Sequence, residues 1–360
     1  MKSKVSFEES ISGDSKVAVI KVVGVGGAGG NAINRMVKAG VKGIELIAMN
    51  TDAQVLRKSL APVRLQIGTK LAKGKGVGGN PVLGRQAAEE SRASIKNELL
   101  GADMVFVTAG MGKGTGTGAS PLVAEIAQSL NALTVGVVTT PFEFEGHMRA
   151  EQAEEGIKEL RQFVDTLLLI KNERLFHVTD KTTPLEDAFR MADEVLHQGI
   201  QAISDVITTT GDVNVDFADV TTIMRGAGEA LMGIGEGEGA NRTMDAVNRA
   251  LRSPLLMDVS IEGAKGVLVN FTSGPDFTLQ EIKDPMKMIE NVVSRDAKVF
   301  LGHVTELSLH NRVRVTMIVT GFLPQNRTLK GDKKHRTAEK TTDEDFNIPA
   351  YKRRECRILK

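Results

Sequence analysis

The stretch Gly110–Gly118, GMGKGTGTG, has a glycine at every second position. It follows DMVFVTAG, an apolar run that predicts a buried strand, and it precedes SPLVAEIAQSLN, which predicts a helix. We expect Ser120 to be the N-cap of this helix and Pro121 its first residue. Successive backbone N–H groups without side chains form an anion-binding nest, to which a helix dipole adds positive potential. The stretch therefore predicts a phosphate site, where the Thr115 and Thr117 hydroxyls would donate to phosphate oxygens.

A second glycine-rich turn, GVGGAGGN, ends the first predicted strand and contains G-x-G-x-x-G at Gly24, Gly26 and Gly29. The run NAINRMVKAG then predicts a helix that ends at Gly40, so nucleotide phosphate could lie at its N-terminus. Glu45 follows about twenty residues on, as in a dinucleotide-binding unit, which makes an NAD-dependent oxidoreductase one hypothesis. Two such turns on one sheet favour a polyphosphate held from both sides instead.

The Lys113 side chain does not belong to a P-loop, because that motif requires Gly-Lys-Ser/Thr and Lys113 is followed by Gly114. The pattern indicates a phosphate-binding loop of another kind.

Composition excludes several classes of function. The 360 residues carry a formal net charge of +1, and aromatic residues make up 4%, which argues against binding nucleic acid. The only cysteine is Cys356, so a disulfide framework within the chain is excluded. No secretory signal precedes the first strand, and no apolar run approaches the ~20 residues of a membrane span. We expect a soluble, cytoplasmic protein without transmembrane insertion.

Apolar strands alternate with helices along the first half of the chain, which predicts a parallel sheet covered on both faces. One helix is predicted over 81–101, another over 147–163 and a long one over 184–208. Strand-like runs then return as KGVLVNFT, KVFLGHVTEL and RVRVTMIVTGF. The last two lie close together, so we expect them to pair antiparallel within a second, α+β domain.

Several motifs in this order resemble the bacterial tubulin-like cell-division family FtsZ. GGAGGN and NTDAQVL are similar to its first nucleotide loop and the segment after its second strand, and GMGKGTGTGASP is similar to the loop shared with tubulins. PFEFEGHMR resembles its ribose-side motif, and NVDFADV resembles the loop that completes catalysis. The resemblance covers about residues 16–322 and the terminal segment.

The resemblance implies an α/β fold in which a Rossmann-like parallel-sheet GTPase domain is joined by a long central helix to a smaller α+β domain. The implied boundaries are a disordered extension over 1–15, a GTP-binding domain over 16–183 and the central helix over 184–210. The α+β domain follows over 211–322, then a flexible linker over 323–345 and a partner-binding peptide over 346–360.

The resemblance also implies which residues bind GTP or GDP. Phosphate would contact the two glycine-rich loops, and Glu145 and Arg149 would contact ribose, although as sequence alone they indicate a solvated pair. Asn172 and Asp193 would read the guanine edge, and Phe189, otherwise a core residue, would lie against the base. The loop residues are Gly27, Ala28, Gly29, Gly30, Asn31, Gly110, Gly112, Gly114, Thr115, Gly116 and Thr117.

Asn214, Asp216 and Asp219 of NVDFADV are the implied catalytic residues. Taken alone, Asp219 would be read as a helix N-cap. In the family this loop reaches the GTP of a neighbouring subunit, so filaments assemble their own active sites, and the acids polarise the attacking water. Mg²⁺ would be bound mainly through the GTP phosphates rather than by strong protein ligands, and K⁺ is an additional candidate cofactor.

The terminal segment FNIPAYKRR resembles the family's peptide for membrane adaptors and division regulators, although a solubilising basic tail is the alternative. Its implied contact residues are Phe346, Ile348, Pro349, Tyr351, Arg353 and Arg354. The other implied partner is a second copy of the chain, joined head to tail. The implied role is the contractile ring at mid-cell in the bacterial cytoplasm.

Two residues depart from the family pattern. Lys113 stands where glycine is usual, so its charge either adds to phosphate affinity or points to solvent. Asp212 stands where the family commonly has an apolar residue and could weaken docking between subunits. A non-hydrolysing, nucleotide-dependent structural filament is therefore an alternative, and the oxidoreductase is less favoured because it leaves GMGKGTGTG and NVDFADV unexplained.

Overall fold

The computed structural model describes residues 18–177, 182–208, 216–256 and 263–322. Its first part contains six parallel strands in the order β3-β2-β1-β4-β5-β6. The central strands are apolar and buried, as a sheet covered on both faces requires. The strands are β1 Ile20–Val25, β2 Ile44–Asn50, β3 Val63–Gln66, β4 Met104–Gly110, β5 Leu133–Thr140 and β6 Thr166–Lys171.

Helices cover both faces of this sheet. One face packs against α1 and α7, and the other packs against α4, α5 and α6, so two separate apolar cores form. The first helix ends, as predicted, at Gly40, which has the left-handed conformation with φ of 68°. The helices are α1 Gly26–Ala39, α2 Ala53–Lys58, α3 Pro81–Glu90, α4 Arg92–Leu99, α5 Gly114–Ser129, α6 His147–Leu160 and α7 Leu185–Thr208.

Helix α7 runs along the sheet from the edge where the parallel strands end to the edge where they start. Its 24 residues span about 36 Å at 1.5 Å per residue. Its first turns carry Phe189 and Asp193 to the edge where the parallel strands end. Its last residue, Thr208, lies at the opposite edge, because a Cβ on Gly43, just before β2, would be 2.8 Å from the Thr208 Cβ.

The remaining described residues extend the same sheet. Strand β7 pairs with β6 at its start and with β10 along its length, and the order continues β7-β10-β8-β9. Helices α9 and α10 pack on this part in a third apolar core. The elements are α8 Phe217–Met224, β7 Gly228–Glu238, α9 Arg242–Leu251, β8 Gly266–Ser273, α10 Leu279–Val292, β9 Lys298–Thr305 and β10 Arg312–Thr320.

The pairing of the last two strands corrects the sequence prediction. Strand β10 pairs antiparallel with β7 and β8, whereas β9 pairs parallel with β8 and forms the edge. The prediction was wrong because the glycine-rich run GIGEGE was not recognised as part of a strand. This strand, β7, pairs with one side of β10 while β8 pairs with the other, so β9 cannot pair with β10.

Three helix boundaries also differ from the sequence prediction, and the first is the start of α1, which lies at Gly26 rather than at Asn31. The helix predicted over 81–101 is divided at Ser91, whose hydroxyl accepts a hydrogen bond from the Gly68 N–H at 3.0 Å. Helix α5 begins at Gly114, so Ser120 and Pro121 lie inside it, and the Ser120 hydroxyl donates to the Gly116 carbonyl. The glycines therefore form the first turns of the helix.

Close packing of α3 on α5 explains why these turns lack side chains. A Cβ on Gly118 would overlap the Pro81 carbonyl oxygen, and a Cβ on Gly84 would overlap the Gly114 carbonyl oxygen. A Cβ on Gly116 would lie 2.6 Å from the Gly110 carbonyl oxygen. The alternating glycines thus let two helices and a strand end approach to backbone contact.

The N-terminal extension, Asn214, Asp212, the linker and the C-terminal peptide lie outside the described residues. The division into domains stays a prediction. No helix in the described part of the chain has both the length and the apolar character that crossing a membrane requires.

Replacing Gly118 by alanine tests this packing. We expect Gly118→Ala to lower the free energy of unfolding by about 1–3 kcal/mol, because the added methyl group meets backbone that cannot move aside. Gly30→Ala is the control, since a Cβ there meets nothing within 4 Å, and it should raise stability by up to about 1 kcal/mol through helix propensity. Urea unfolding measures both, and equal effects would contradict the packing account.

Candidate functional site

A cleft of about 1050 Å³ lies at the edge where the parallel strands end. Residues after β1, β2, β4, β5 and β6 line it, together with the first turns of α7. The sequence-predicted residues that line the cleft are Gly27, Ala28, Gly110, Gly112, Gly114, Thr115, Gly116, Glu145, Arg149, Asn172, Phe189 and Asp193. Of the others, Gly29, Gly30, Asn31 and Thr117 are not part of this lining.

Two helix N-termini face the cleft without side-chain caps. The N-cap residues of α1 and α5 are Val25 and Lys113, neither helix has a side-chain cap hydrogen bond, and neither first turn contains an acid. The shorter α2 and α3, by contrast, are capped by Asp52 and Asn80, whose carboxylate and amide oxygens accept two backbone N–H bonds each. The uncapped termini leave N–H donors and positive potential available to an anion.

The loop between β4 and α5 is held by hydroxyl groups. The Thr117 Oγ1 is buried and accepts the Gly112 and Lys113 N–H groups at 2.9 and 3.0 Å, so it shapes the loop from behind. Gly112 has φ of 94°, a conformation that favours glycine. The Thr115 Oγ1 lies in the cleft lining, 2.7 Å from the buried Thr51 Oγ1.

The glycines of the two loops have different reasons to be glycine. A Cβ on Gly114 would lie 2.6 Å from the Val77 side chain and 3.0 Å from the Asn80 nitrogen, so packing alone requires glycine there. A Cβ on Gly29 would overlap the Thr108 carbonyl oxygen. A Cβ on Gly27 would meet nothing within 4 Å, although Gly27 lines the cleft. Among the glycines of these two loops that line the cleft, only Gly27 has room for a Cβ, so contacts within the protein do not explain glycine there.

The other end of the cleft carries buried polar groups. Asn172 is 5% exposed, and its Oδ1 has no hydrogen-bond partner among the described residues. Asp193 is 9% exposed and accepts a hydrogen bond from the Asn31 Nδ2 at 3.2 Å. An unpaired buried amide costs free energy unless a ligand pairs with it. The amide and the carboxylate together suit a ligand edge that both donates and accepts.

Burial dominates the ionisation of Asp193. Removal of the carboxyl from water raises its pKa to about 6, although the Arg35 guanidinium, the Asn31 amide and the Lys113 ammonium all favour the charged form. The carboxyl is therefore charged at neutral pH and titrates only slightly below it.

Aromatic and charged side chains complete the rim. The Phe189 ring meets the Phe142 ring edge to face at a centroid distance of 5.5 Å. The Glu145 carboxylate accepts a hydrogen bond from the Arg149 guanidinium at 2.6 Å and from the Phe142 N–H at 3.2 Å. The ion pair lies on the cleft, with the Arg149 side chain 43% exposed and the Glu145 side chain 7% exposed. An exposed guanidinium beside the cleft can donate to a polar ligand.

Sequence reasoning left several cleft residues unassigned. The segment after β2 and the loop before α3 both line the cleft, and the glycine-rich composition of KGKGVGGN was the available signal for the loop. On α6, Met148 precedes Arg149, and Gln152 and Glu155 lie about one and two turns after it, so their helical spacing from Arg149 was the available signal. The unassigned residues are Asn50, Thr51, Asp52, Val55, Lys75, Gly76, Val77, Gly78, Gly79, Asn80, Pro81, Val82, Met111, Thr139, Thr140, Pro141, Met148, Gln152, Glu155 and Ala192.

Asp216 and Asp219 do not line the cleft. Asp216 is the N-cap residue of α8 and Asp219 lies in its first turn. The last residue of α8, Met224, accepts a hydrogen bond from Thr166, the first residue of β6. This helix is therefore anchored at the strand-start edge of the sheet, the edge that α7 also reaches at its end.

Glu45 does not support the dinucleotide hypothesis. It lies near the start of β2, at the edge opposite the cleft, and its carboxylate pairs with the Lys21 ammonium at 3.0 Å. A carboxylate that binds ribose must lie near the strand end, where the phosphate loop is.

Comparisons with known proteins agree with this geometry. A model of the Tubulin/FtsZ family GTPase domain matches residues 19–180, and a model of the FtsZ family C-terminal domain matches residues 228–323. An FtsZ dimer from M. jannaschii is 45% identical, with a TM-score of 0.82 over 84% of this chain and 88% of that one. A point mutant of M. jannaschii FtsZ is 44% identical, with a TM-score of 0.82 over 85% and 91%. At 20% identity, a protofilament of CetZ2 from Haloferax volcanii shares the fold, with a TM-score of 0.69 over 86% and 95%.

The raised pKa of Asp193 predicts a pH-dependent stability of the nucleotide-free protein. The folded carboxyl binds its proton more tightly than the unfolded one, so its charge destabilises the fold above about pH 6, and this penalty is removed as the pH falls towards 4. Asp193→Asn should therefore be more stable than the wild type at pH 7, with an advantage that shrinks by up to about 1.4 kcal/mol for each unit below pH 6. Urea unfolding at several pH values measures the difference in free energy of unfolding between the variant and the wild type. A difference that does not change with pH would contradict the prediction.

Proposed function

The chain belongs to the Tubulin/FtsZ family, and we propose that it hydrolyses GTP within head-to-tail filaments in which each active site is completed by the next subunit. Family members are GTPases that polymerise, and this chain is a GTPase of FtsZ type. In the proposed arrangement, residues at one edge of the sheet bind the nucleotide and acids near the other edge act on the nucleotide of the next subunit.

One observation carries the proposal. The cleft lies at the strand-end edge of the sheet, whereas α8, which begins with Asp216 and Asp219, is anchored at the strand-start edge. Helix α7, which is about 36 Å long, runs from the first of these edges to the second. These acids can therefore act on a nucleotide in the cleft of another copy, which makes hydrolysis dependent on assembly.

The polar groups of the cleft suggest one orientation for the proposed nucleotide. The polyphosphate would lie at the uncapped N-termini of α1 and α5, and the guanine would lie at Asn172 and Asp193. A carboxylate can accept from both N1–H and N2–H₂ of guanine, which adenine does not offer, and the unpaired Asn172 amide remains for the same edge. Phe189 would lie against the base, and Glu145 and Arg149 would contact ribose.

Phosphoryl transfer asks the protein for positioning and charge neutralisation. Asp216 and Asp219, with Asn214 outside the described residues, would polarise the attacking water from the neighbouring subunit. Among the described residues, no three His, Cys, Asp or Glu side chains gather into a metal site. Following the family resemblance, Mg²⁺ would be bound mainly by phosphate oxygens, where it supplies charge neutralisation, and K⁺ is a further candidate.

The cellular role follows from the family. We propose that the filaments form the contractile ring at the cell-division site in the cytoplasm. The FtsZ relatives that support this role come from M. jannaschii, so the proposal does not restrict the ring to bacteria. The GTPase domain over 16–183, the α+β domain over 211–322 and the adaptor-binding peptide over 346–360 belong to the same proposal.

A side chain at Gly27 tests the phosphate position. Gly27→Val should lower GTP affinity by about tenfold or more, because the new methyl groups occupy cleft space while nothing in the protein is displaced. Thermal unfolding without nucleotide should match that of Ala39→Val, which places the same residue at the exposed end of α1. Unchanged GTP affinity of Gly27→Val in a binding titration would contradict this position of the phosphates.

Asp219→Ala tests the shared active site. The variant should bind GTP as the wild type does and release no phosphate, because Asp219 acts on the neighbour's nucleotide. Asp245→Ala is the matched control, since Asp245 occupies the corresponding first turn of α9, and it should remain active. Phosphate release with Mg²⁺ is followed across protein concentrations.

The outcomes of that experiment are distinct. Wild-type specific activity should appear only above a threshold concentration, and added Asp219→Ala should depress it more than dilution does. If specific activity does not depend on protein concentration, or if the mixture has only the activity expected from its wild-type content, each chain hydrolyses GTP without a neighbour. Either result would contradict the shared active site.

A further inference from the structure

Two lysine side chains in the cleft have no partner within the part of the chain that the structure describes. Lys113 and Lys75 are exposed and line the cleft from different loops. Among the described residues, neither ammonium forms a hydrogen bond or an ion pair, whereas Arg149 and Arg35 in the same region pair with Glu145 and Glu194. The two lysines therefore supply uncompensated positive charge to the cleft.

The loops that carry these lysines are in direct contact. Gly114 follows Lys113, and its Cα lies so close to the loop after Lys75 that a Cβ would meet Val77 and Asn80 within 3.0 Å. On the other side of the cleft, a Cβ on Gly26 would lie 2.9 Å from the Gly116 nitrogen. The first turns of α1 and α5 and the Lys75 loop thus converge on one small region.

Backbone geometry does not explain a lysine at position 113. Its φ of −121° and ψ of −176° are extended values that any residue adopts. Its N–H donates to the Thr117 Oγ1 at 3.0 Å, a bond that any residue except proline could make. The backbone of position 113 therefore does not require a lysine, and the positive charge of the side chain needs another explanation.

Electrostatics disfavour this position for a cation in the empty protein. A helix N-terminus carries about half a positive charge, which stabilises anions and repels cations. Lys113 is the N-cap residue of α5, and the uncapped N-terminus of α1 faces the same cleft. The Lys113 ammonium helps to hold down the pKa of Asp193, but that carboxyl lies at the other end of the cleft. A polyanion bound at the two N-termini would convert this repulsion into attraction.

We propose that Lys113 contacts the phosphates of the bound nucleotide, with Lys75 on the facing side, and that it raises the affinity for nucleoside di- and triphosphates over the unphosphorylated nucleoside. The proposal rests on the proposed function, since it concerns the same cleft. An ammonium is a compact point charge on a flexible stem, so it can follow phosphate oxygens that the fixed backbone N–H groups do not reach.

The experiment compares Lys113→Met, which keeps the length of the side chain without its charge, with Lys113→Arg and with Lys96→Met. Lys96 is an exposed lysine of α4 outside the cleft lining, so its variant makes the same change in net charge. Binding of GTP, GDP and guanosine is titrated at fixed Mg²⁺ and salt. Lys113→Met should bind GTP and GDP about tenfold more weakly and guanosine as the wild type does, whereas Lys113→Arg and Lys96→Met should stay close to the wild type. Lys75→Met should show a loss of the same kind.

Three results would overturn the proposal. If Lys113→Met binds GTP like the wild type, Lys113 does not contact phosphate, and the proposed function survives because the wild type binds. If Lys113→Met loses guanosine and GTP affinity equally, its charge acts on Asp193 rather than on phosphate. If the wild type binds no guanine nucleotide at all, the proposed function fails and this proposal fails with it.

Discussion

The backbone contact between α3 and α5 is the constraint on which the rest of the structure depends. It requires bare Cα atoms at Gly84, Gly114 and Gly118, since a side chain at any of them would enter the opposing backbone. The contact holds the first turn of α5 at the end of β4, beside the first turn of α1. Because both turns lack side-chain caps, the same packing that closes the core also produces the anion-binding end of the cleft.

Helix α7 extends from the cleft to the opposite edge of the sheet. Its apolar side joins the core against α1 and the sheet, and its first turns place Phe189 and Asp193 in the cleft. Its far end reaches the opposite edge of the sheet, where α8 is anchored. A rigid helix of this length keeps the acids of α8 away from the cleft of their own chain. Under the proposed function, this distance is what links hydrolysis to contact between subunits.

The cleft holds several groups that are unfavourable in the free protein. Asn172 has an unpaired buried amide oxygen, Asp193 is a buried carboxylate with a raised pKa, and Lys113 places a cation at a helix N-terminus. Under the proposed function, each cost would be offset by a different part of one guanine nucleotide, by its base edge or by its phosphates. Packing alone gives no reason for all three groups to line one cavity, whereas the proposed nucleotide site would give each of them a partner.

The sequence by itself determined the alternation of strands and helices in the first half of the chain, the long α7 and the two glycine-rich turns after β1 and β4, because apolar period and glycine spacing are local properties. The resemblance then supplied roles for Asn172 and Asp193 that no periodicity could reveal. Only the tertiary structure decided that α5 begins at Gly114 rather than Ser120, that the predicted helix divides at Ser91, and that β10 pairs with β7 and β8. These features depend on partners distant in the chain, such as the Gly68 N–H for the Ser91 hydroxyl and the α3 backbone for Gly118, and a local pattern contains no information about such partners.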